Sequence, residues 1–435
     1  MPAPLHKLSI AALNPMQREA GKAIRSGADV VLLSPTGTGK TLAFLLPLLD
    51  ALDADSDEIQ ALVLVPTREL AQQIETVARE LASGHKVNAV YGGRSGSMDK
   101  LDLRHRPALL IGTPGRVADR FRRDGYSLAH IRTLVLDEYD KSLEIGFADE
   151  MEQIVRRLRG LRQRVLTSAT AEAELPGFVG LSNPITVDYL GQRSSRLRLE
   201  RLVTPDRDKL DALVTALRHI GPHRPGIVFA NFKDALERIS AHLSAHDIAH
   251  GCFHGSMDQV DRDRALIKFR NGTTRLLLAT DLAARGLDVP ALHFILHYHL
   301  PPREREFTHR NGRTARMNDD GVAYLLTSAQ ERLPEYVEAL DLPAVPVANL
   351  SASAKHETPT WRTVYLSGGR RDKISKGDIV GLFLKQGGLD KDQLGAIELQ
   401  QTCAYAGVHA EVASRLVAKT DNTRLKKKKV RVSVL

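Results

Sequence analysis

The sequence predicts an α/β protein with two doubly wound, parallel-sheet lobes and a small C-terminal βαββαβ domain. Short apolar runs alternate with amphipathic helical patterns through most of the chain, as in parallel sheets covered by helices. Near residue 360 this alternation stops and shorter alternating strands begin. At about 100–200 residues per domain, the length of 435 residues predicts about three domains. We set their bounds at 1–190, 204–345 and 360–435.

The apolar runs of the two lobes are short enough to be buried strands. In the first lobe they cover 29–34, 61–66, 108–112, 133–137 and 164–168. In the second lobe they cover 226–230, 275–280, 294–297 and 322–326. Stretches rich in Gly, Ser and Arg at 190–201, and in Pro, Ala and Ser at 342–359, predict two linkers.

The C-terminal segment has its own order of elements. A strand at 363–367 precedes a helix at 375–386, which Ser375 caps and Gly387 follows. Strands at 395–400 and 402–408, a helix at 410–420 and a strand at 430–434 complete the order. This is the split βαβ arrangement that RNA-recognition (RRM-like) folds use.

Charge is distributed unevenly. The net charge is +9, and residues 356–435 hold 15 Lys and Arg against 8 Asp and Glu. This basic excess predicts a polyanionic partner for the C-terminal domain. For the lysine run 426–429 a solvated basic tail is the alternative.

Composition excludes several classes of protein. No run approaches the roughly 18 apolar residues of a membrane span, so we expect no membrane partner. The first 20 residues lack the pattern of a secretory signal. Only Cys252 and Cys403 are present, which excludes a disulfide framework and favours a cytoplasmic location.

The strongest local motif is Ser-Pro-Thr-Gly-Thr-Gly-Lys-Thr at 34–41, between a predicted strand and a helix. Backbone N–H groups of such a loop cradle phosphate oxygens, and its glycines permit close approach. The lysine can neutralise phosphate charge and the last hydroxyl can bind Mg²⁺. The predicted ATP-binding residues of this loop are Ser34, Thr36, Gly37, Thr38, Gly39, Lys40 and Thr41.

A pair of acids follows the strand at 133–136. Asp137 would lie beside the phosphate loop at the carboxyl edge of the sheet and hold the metal. Glu138 would orient or deprotonate the attacking water. Together with the phosphate loop, the pair predicts a site of nucleotide hydrolysis.

The second lobe contains an arginine-rich motif at 309–316. Arginines can reach a γ-phosphate from another part of the chain and stabilise the charge of the transition state. A basic surface face is the alternative. A nucleotide site divided between two lobes would make their closure dependent on ATP.

In order along the chain, these motifs resemble those of the DEAD-box RNA helicases. The matching positions are Gln17, 34–41, 66–70, 92–93, 113–116, the Asp-Glu-Tyr-Asp box at 137–140, 168–170, 228–229, 259–262, 279–281, 284–288 and 309–316. The segments 377–384 and 395–399 and the lysine-rich end resemble the DbpA-type members.

The resemblance implies two RecA-like lobes, the cofactors ATP and Mg²⁺, and a role for each matched position. Gln17 would read adenine and Asp288 would contact the ribose. Ser168 and Thr170 would couple hydrolysis to unwinding. The residues implied to be catalytic are Lys40, Glu138, Arg313 and Arg316. Those implied to line the RNA track are Arg68, Gly93, Thr113, Arg116, Gln259, Arg262 and Thr280.

The resemblance also implies an activity and its partners. The protein would be a monomeric RNA helicase that separates duplexes locally, and its C-terminal domain would target 23S-type ribosomal RNA in pre-50S particles. Arg370, Arg371 and Lys373 would contribute to RNA binding by that domain. The alternatives are a general RNA chaperone or clamp, a C-terminal dimerisation module, and a DNA helicase.

Several positions depart from the family pattern, among them Asn311 and Ala315 in the arginine motif. Tyr139 replaces the usual alanine of the acidic box, for which we expect altered packing and intact catalysis. Phe232 stands where a threonine is usual.

The histidines at 293, 297 and 299 have no cysteine beside them and straddle a predicted strand, which disfavours a zinc site.

Overall fold

The structure is a computed structural model. It describes residues 5, 10, 12–82, 84–93, 105–123, 128–170, 175–191, 197–221, 224–281, 292–314, 320–351 and 359–435. The chain forms two compact units: the first ends at residue 195, and the second contains the described residues from 197 onward.

The first unit is built on a parallel sheet. Its strands are β1 (Val30–Leu33), β2 (Ala61–Leu64), β3 (Val87–Val90), β4 (Leu109–Gly112), β5 (Thr133–Leu136), β6 (Gln163–Ser168) and β7 (Ile185–Asp188). They lie in the order β3-β4-β2-β5-β6-β1-β7. Because the strands are parallel, the loops that follow them meet at one edge of the sheet.

Six α-helices lie in the described part of the first unit. They are α1 (Pro15–Arg25), α2 (Lys40–Asp50), α3 (Arg68–Leu81), α4 (Pro114–Arg123), α5 (Tyr139–Ile145) and α6 (Ala148–Arg157). Their apolar faces pack on the sheet in two separate cores of buried aliphatic and aromatic side chains.

The second unit begins with another parallel sheet. Its strands are β8 (Leu197–Thr204), β9 (Gly226–Phe229), β10 (Gly251–Phe253), β11 (Leu276–Ala279), β12 (Phe294–His297), β13 (Gly321–Ser328) and β14 (Ala344–Pro346). They lie in the order β10-β11-β9-β12-β13-β8-β14. Its helices are α7 (Leu210–Ile220), α8 (Lys233–Ala245), α9 (Gln259–Arg270), α10 (Glu304–Asn311) and α11 (Glu335–Glu338).

The C-terminal domain has the predicted order of elements. It contains β15 (Trp361–Leu366), α12 (Lys376–Gly381), a π-helical turn (Leu382–Gln386), β16 (Leu394–Leu399), β17 (Ala404–His409), α13 (Ala410–Thr420), the short strands β18 (Arg424–Leu425) and β19 (Lys428–Lys429), and β20 (Val432–Val434). An antiparallel sheet in the order β16-β17-β15-β20 covers one apolar core.

The predicted linkers are partly wrong. The segment 190–201 contains the start of β8, which pairs with β13 inside the second sheet. The alternating Leu and Arg residues there have the two-residue period of a strand, with one polar face. The segment 342–359 contains β14, which pairs with β8. The sequence analysis also missed β3, β7 and β10, which have three or four residues each.

The C-terminal domain packs on helix α9 of the second lobe. The Thr273 and Thr363 hydroxyls are 2.7 Å apart and buried, and Arg270 Nη1 lies 3.1 Å from Glu398 Oε1. An apolar cluster adds Ile267 from α9 and Cys403 and Tyr405 from the C-terminal sheet. These contacts fix the C-terminal domain relative to the helix that begins with the predicted RNA ligands Gln259 and Arg262.

Among the described residues, no helix combines the length and the apolar character that a membrane crossing requires.

Candidate active site

The phosphate loop connects β1 to α2 at the carboxyl edge of the first sheet. Gly37 and Gly39 have φ angles of +82° and +85°, a region that favours glycine. A Cβ at position 39 would lie 2.3 Å from Gln17 Nε2. The glycines therefore permit both the turn and the close packing of α1 on the loop.

Lys40 is buried and points back into the loop. Its Nζ donates hydrogen bonds to the carbonyl oxygens of Ser34 at 2.6 Å and Pro35 at 3.0 Å. The Thr38 hydroxyl also donates to the Pro35 carbonyl, at 2.9 Å, and lies 2.8 Å from the Ser34 hydroxyl. These bonds give the loop a closed shape, with the ammonium group at its centre.

Helix α1 holds the loop from outside through Gln17 and Asn14. Gln17 Nε2 donates to the Gly39 carbonyl at 3.1 Å, and Asn14 Nδ2 donates to the Thr38 carbonyl at 2.9 Å. The two side chains also form a capping box at the start of α1. The sequence analysis missed Asn14, although the spacing of Asn14 and Gln17 is that of a capping box.

The acidic pair follows β5, two strands from β1 in the sheet. The Thr167 hydroxyl donates to Asp137 Oδ1 at 2.5 Å and accepts the Glu138 N–H at 3.1 Å. Glu138 has a φ of +49°, which is uncommon for a residue with a side chain and recurs at functional sites. The sequence analysis did not single out Thr167, which lies on the neighbouring strand β6.

The electrostatics of the pair follow from burial. Desolvation and then the charge of Glu138 raise the pKa of Asp137 to about 6, while Thr167 and the Lys40 ammonium oppose this rise. Lys40 and Asp137 are thus close enough to interact. Burial likewise raises the pKa of Asp140 to about 6.

Tyr139 points away from this chemistry. Its side chain is 2% exposed and packs in an apolar core of the first unit. Burial, followed by the nearby Asp140, raises the pKa of Tyr139 to about 12. The substitution for the family's alanine therefore fills core volume.

Ser168 is the last residue of β6, beside the phosphate loop, and Thr170 follows two residues later. The Ser34 N–H donates to the Ser168 carbonyl at 3.0 Å, which joins the two segments. Ser168 Oγ donates to the Thr170 carbonyl and accepts the Thr170 N–H. Thr170 Oγ1 is buried and has no hydrogen bond within the described part of the chain.

Four predicted RNA ligands of the first lobe follow the neighbouring strands β2, β3 and β4. Arg68 begins α3, and its Nη1 would lie 2.7 Å from a Cβ at Gly93, whose φ is +88°. The Thr113 carbonyl accepts the Arg116 N–H at 3.1 Å at the start of α4. The structure therefore assembles all four at one edge of the sheet.

Three predicted RNA ligands lie in the second lobe. Gln259 and Arg262 are in the first turn of α9, and the Arg262 guanidinium lies 4.8 Å from the centre of the Phe253 ring. The Thr280 N–H donates to the Phe253 carbonyl at 3.4 Å. Gln259 Oε1 is buried and has no hydrogen-bond partner among the described residues.

The arginine motif is anchored by Arg310. Its guanidinium makes two hydrogen bonds of 2.6 Å with the Asp281 carboxylate and donates to Asn231 Oδ1 at 2.7 Å. The Arg313 N–H donates to the Arg310 carbonyl at 3.0 Å, and the Arg313 side chain is buried. The predicted ligands Asp288 and Arg316 lie outside the described residues.

The basic residues of the C-terminal domain lie on a turn. Arg370, Arg371 and Lys373 are exposed between β15 and α12, and the N–H groups of Arg370 and Arg371 donate to the carbonyls of Gln400 and Gln401. This turn is therefore tied to the C-terminal sheet.

The lysine run 426–429 belongs to the β18–β19 hairpin. Lys426 Nζ lies 3.2 Å from Asp378 Oδ1, and Lys428 Nζ lies 2.9 Å from Asp372 Oδ2. Each of these two lysines therefore has an acidic partner within the C-terminal domain, and both side chains remain partly exposed.

The donors that Mg²⁺ prefers are present at the hydrolysis site. Magnesium favours oxygen ligands, especially carboxylates, beside the phosphates of a nucleotide. The buried Asp137 carboxylate and the Thr41 hydroxyl, next to Lys40 at the start of α2, are ligands of this kind. When bound, the ion would neutralise phosphate charge.

A phosphate loop facing an acidic pair at the carboxyl edge of a parallel sheet defines a nucleoside-triphosphate hydrolase. Comparison with known proteins makes the class narrower. A DEAD/DEAH box helicase model matches residues 14–176, a helicase conserved C-terminal domain matches residues 208–318, and a DbpA RNA binding domain matches residues 363–434.

Individual relatives agree with these domain matches. The ATP-dependent RNA helicase DbpA of Escherichia coli is 32% identical over 99% of this chain and 96% of the relative. The mitochondrial DEAD-box ATP-dependent RNA helicase 9 of Arabidopsis thaliana is 33% identical over 79% of this chain and 59% of the relative.

Solved structures are also similar to this chain. S. cerevisiae Dbp5 bound to RNA and ADP BeF3 has a TM-score of 0.66 at 25% identity, and covers 79% of this chain and 92% of its own. Mss116 bound to ssRNA and UDP-BeF has a TM-score of 0.69 at 25% identity, and covers 81% and 77%.

The chain therefore belongs to the DEAD-box family of ATP-dependent RNA helicases, and its C-terminal domain is of the DbpA RNA-binding type. It is an RNA-stimulated ATPase and helicase. The predicted fold class, family and enzyme class are confirmed.

Proposed function

We propose that this helicase separates short RNA duplexes in large-subunit ribosomal RNA during assembly of the large ribosomal subunit. The observation that carries the proposal is the match of residues 363–434 to the DbpA RNA binding domain, on a chain that is similar to E. coli DbpA over its whole length. We further propose that the protein is a monomer, that it acts on pre-50S particles in the cytoplasm, and that its target is 23S-type ribosomal RNA.

In the proposed hydrolysis, Lys40 leaves the loop carbonyls and neutralises phosphate charge. Thr41 and Asp137 would hold Mg²⁺, which would neutralise further phosphate charge. Glu138 orients the attacking water and accepts its proton. A bond forms between the water oxygen and the γ-phosphorus, the bond to the β-phosphate oxygen breaks, and ADP and inorganic phosphate are released. Arg313 and Arg316 stabilise the transition-state charge.

Nucleotide recognition and coupling are assigned to other residues in the proposal. Gln17 contacts the phosphate loop, so adenine bound by Gln17 would influence the loop directly. Asp288 is proposed to bind the ribose. Ser168 and Thr170 couple hydrolysis to unwinding. The buried Thr170 hydroxyl has no hydrogen-bond partner among the described residues, which supports a partner that arrives during the cycle.

RNA is proposed to bind along the carboxyl edges of both sheets. The first lobe contributes Arg68, Gly93, Thr113 and Arg116, and the second contributes Gln259, Arg262 and Thr280. Contacts to phosphates and 2′-hydroxyls make this binding tolerant of sequence and sensitive to salt. The buried Gln259 oxygen is an acceptor that a 2′-hydroxyl could satisfy.

Targeting can be tested with exposed C-terminal residues. We propose that Arg370, Arg371 and Lys373 bind ribosomal RNA. Because the C-terminal domain packs on α9, this RNA would be held in a fixed orientation relative to the second lobe. ATP hydrolysis by the wild-type protein should respond more strongly to total ribosomal RNA than to random-sequence RNA at one salt concentration.

The decisive variant replaces these three residues by alanine. It should lose the preference for ribosomal RNA and keep the response to random RNA. The matched control replaces the exposed Arg156, Arg157 and Arg159 of the first lobe and should keep the preference. Equal stimulation of the wild-type protein by both RNAs would contradict the targeting and favour a general RNA helicase or clamp.

A further inference from the structure

Phe232 exposes an aromatic ring at the surface of the second lobe. Its side chain is 68% exposed, the largest exposed fraction among the large hydrophobic residues that the structure describes as exposed. It follows β9 and forms the N-cap position of α8. The ring therefore contributes little to the core, and most of its surface is open to a ligand.

The ring lies at the sheet edge that contains the predicted RNA ligands of this lobe. Strands β9 and β11 are neighbours, and the Ala230 N–H donates to the Ala279 carbonyl, so the segments that contain Phe232 and Thr280 leave the sheet next to each other. Asn231 and Asp281 bind the same Arg310 guanidinium, which fixes the two loops together. Phe232 therefore belongs to the same edge as Thr280.

The surroundings of the ring are basic. Lys233 is its exposed neighbour, and Arg262 lies at the same edge. The pKa of His254 is lowered mainly by burial and then by the charge of Lys233, with a smaller contribution from Arg262. Lys233 and Arg262 are thus the two cations near the ring, whereas His254, with its lowered pKa, is neutral at pH 7. Glu237 Oε1, 3.2 Å from Lys233 Nζ, offsets part of this charge, and the positive charge that remains suits a polyanionic strand.

The orientation of the ring is supported by His299. The two ring centres are 6.3 Å apart with an angle of 64° between the planes, an edge-to-face contact. His299 is half-buried, and its carbonyl accepts a hydrogen bond from Arg310, so its position is fixed. Its contact with Phe232 therefore restrains the phenylalanine ring on the side that faces the sheet. Most of the ring remains accessible.

We propose that Phe232 is a stacking subsite for one unpaired nucleobase of the bound RNA strand. Proteins that bind single strands combine a cationic groove with aromatic rings on which bases stack, and such stacking accepts every base. The ligand class is an unpaired nucleobase of any identity. The proposal rests on the RNA track proposed above for the second lobe.

The proposed RNA track contacts phosphates and 2′-hydroxyls, and the Phe232 subsite adds a contact to a base. A base on Phe232 is unstacked from its neighbours in the strand. The subsite therefore favours single-stranded RNA over an intact duplex, whose bases are paired and stacked.

The test measures binding of fluorescent single-stranded RNA to the full-length protein with a non-hydrolysable ATP analogue. Phe232→Ala should weaken binding by about five- to a hundredfold, and Phe232→Trp should retain it. Leu340→Ala removes a different exposed apolar side chain of the same unit and should bind as the wild type does. Thermal unfolding of each variant checks that the fold is intact.

A second arm places one abasic nucleotide at each position of the RNA in turn. One abasic position should weaken wild-type binding as much as Phe232→Ala does, and should cost the Phe232→Ala variant nothing further. A structural role for Phe232 would not produce this position-specific loss. Wild-type affinity in Phe232→Ala, or equal effects of every abasic position in both proteins, would overturn the subsite.

The variant Arg262→Ala distinguishes an error in the proposed stacking subsite from an error in the proposed RNA track. If Arg262→Ala weakens RNA binding and Phe232→Ala does not, the track stands and the stacking is wrong. If Arg262→Ala binds RNA as the wild type does, the proposed track itself is wrong. If Phe232→Ala weakens binding relative to the wild type by the same factor for the intact RNA and for every abasic RNA, Phe232 has a protein-packing role instead.

Discussion

The Thr167 hydroxyl is hydrogen-bonded to both members of the acidic pair. Thr167→Val preserves shape but leaves the buried Asp137 carboxylate and the Glu138 N–H without this partner. Loss of a buried hydrogen bond costs about 1–3 kcal/mol. We expect RNA-stimulated ATP hydrolysis to fall about tenfold or more in a steady-state assay.

Thr167→Ser is the matched control because it keeps the hydroxyl, and it should remain close to wild-type activity. Activity of Thr167→Val equal to that of Thr167→Ser would mean that the hydroxyl does not position the pair.

Tyr139 gives a residue-scale prediction about stability. Tyr139→Ala restores the residue usual in the family but removes a side chain that is 2% exposed. Removal of a large buried side chain costs about 3–5 kcal/mol, so the variant should unfold at lower denaturant concentration without a higher ATPase rate. Tyr139→Phe retains the ring and should lose much less. A Tyr139→Ala protein as stable as the wild type would contradict this packing role.

His297 makes the stability of the second lobe depend on pH. Its Nε2 donates to Asn311 Oδ1 at 2.9 Å, and its Nδ1 lies 3.4 Å from Arg310 Nη1, so the ring is held neutral. Burial and then the charge of Arg310 lower the pKa of His297 from 6.5 to about 3. Between these values the unfolded chain binds a proton that the folded chain does not, so stability falls as pH falls.

His297→Gln replaces the ring with an amide that cannot titrate. Between pH 6.5 and 5, the free energy of unfolding of the wild type should drop by about 2 kcal/mol more than that of the variant. Denaturant titrations at the two pH values provide the measurement. Equal drops in both proteins would mean that His297 titrates normally in the folded state.

At the scale of elements, α9 joins the second lobe to the C-terminal domain. Glu398→Arg places a second guanidinium beside Arg270 and should weaken the packing of the C-terminal sheet on α9 by on the order of 1 kcal/mol. Calorimetry should then show the C-terminal domain unfolding at a lower temperature.

The charge-swapped protein, Arg270→Glu with Glu398→Arg, keeps an opposite pair and should recover most of the loss. If the swap is as unstable as the single change, the ion pair is not what stabilises this packing.

Elements could be predicted from the sequence where the pattern was strong. The phosphate loop, the strand before Asp137 and helix α13 were predicted because apolar runs, glycines and caps are local signals. Strand β8 was missed because its polar face looked like a linker. Strand β10, with three residues, is too short for a periodic signal.

At the scale of the whole molecule, side-chain positions depend on contacts between distant segments. Asn14, Thr167 and Arg310 act through partners 24, 30 and 29 residues away, so no local motif reveals their roles. The same holds for the packing of the C-terminal domain on α9, where Thr363 meets Thr273 across 90 residues. The sequence predicted three domains, but not that the second and third pack together.

The central claim is that the acidic pair beside the phosphate loop hydrolyses ATP in response to RNA. The most direct test measures steady-state ATP hydrolysis by the full-length protein without nucleic acid, with single-stranded RNA, and with DNA of the same sequence, for the wild type and for Glu138→Gln. We predict strong stimulation of the wild type by RNA, little by DNA, and loss of the RNA-stimulated rate in Glu138→Gln. Equal stimulation by DNA, or full RNA-stimulated activity in Glu138→Gln, would contradict the account.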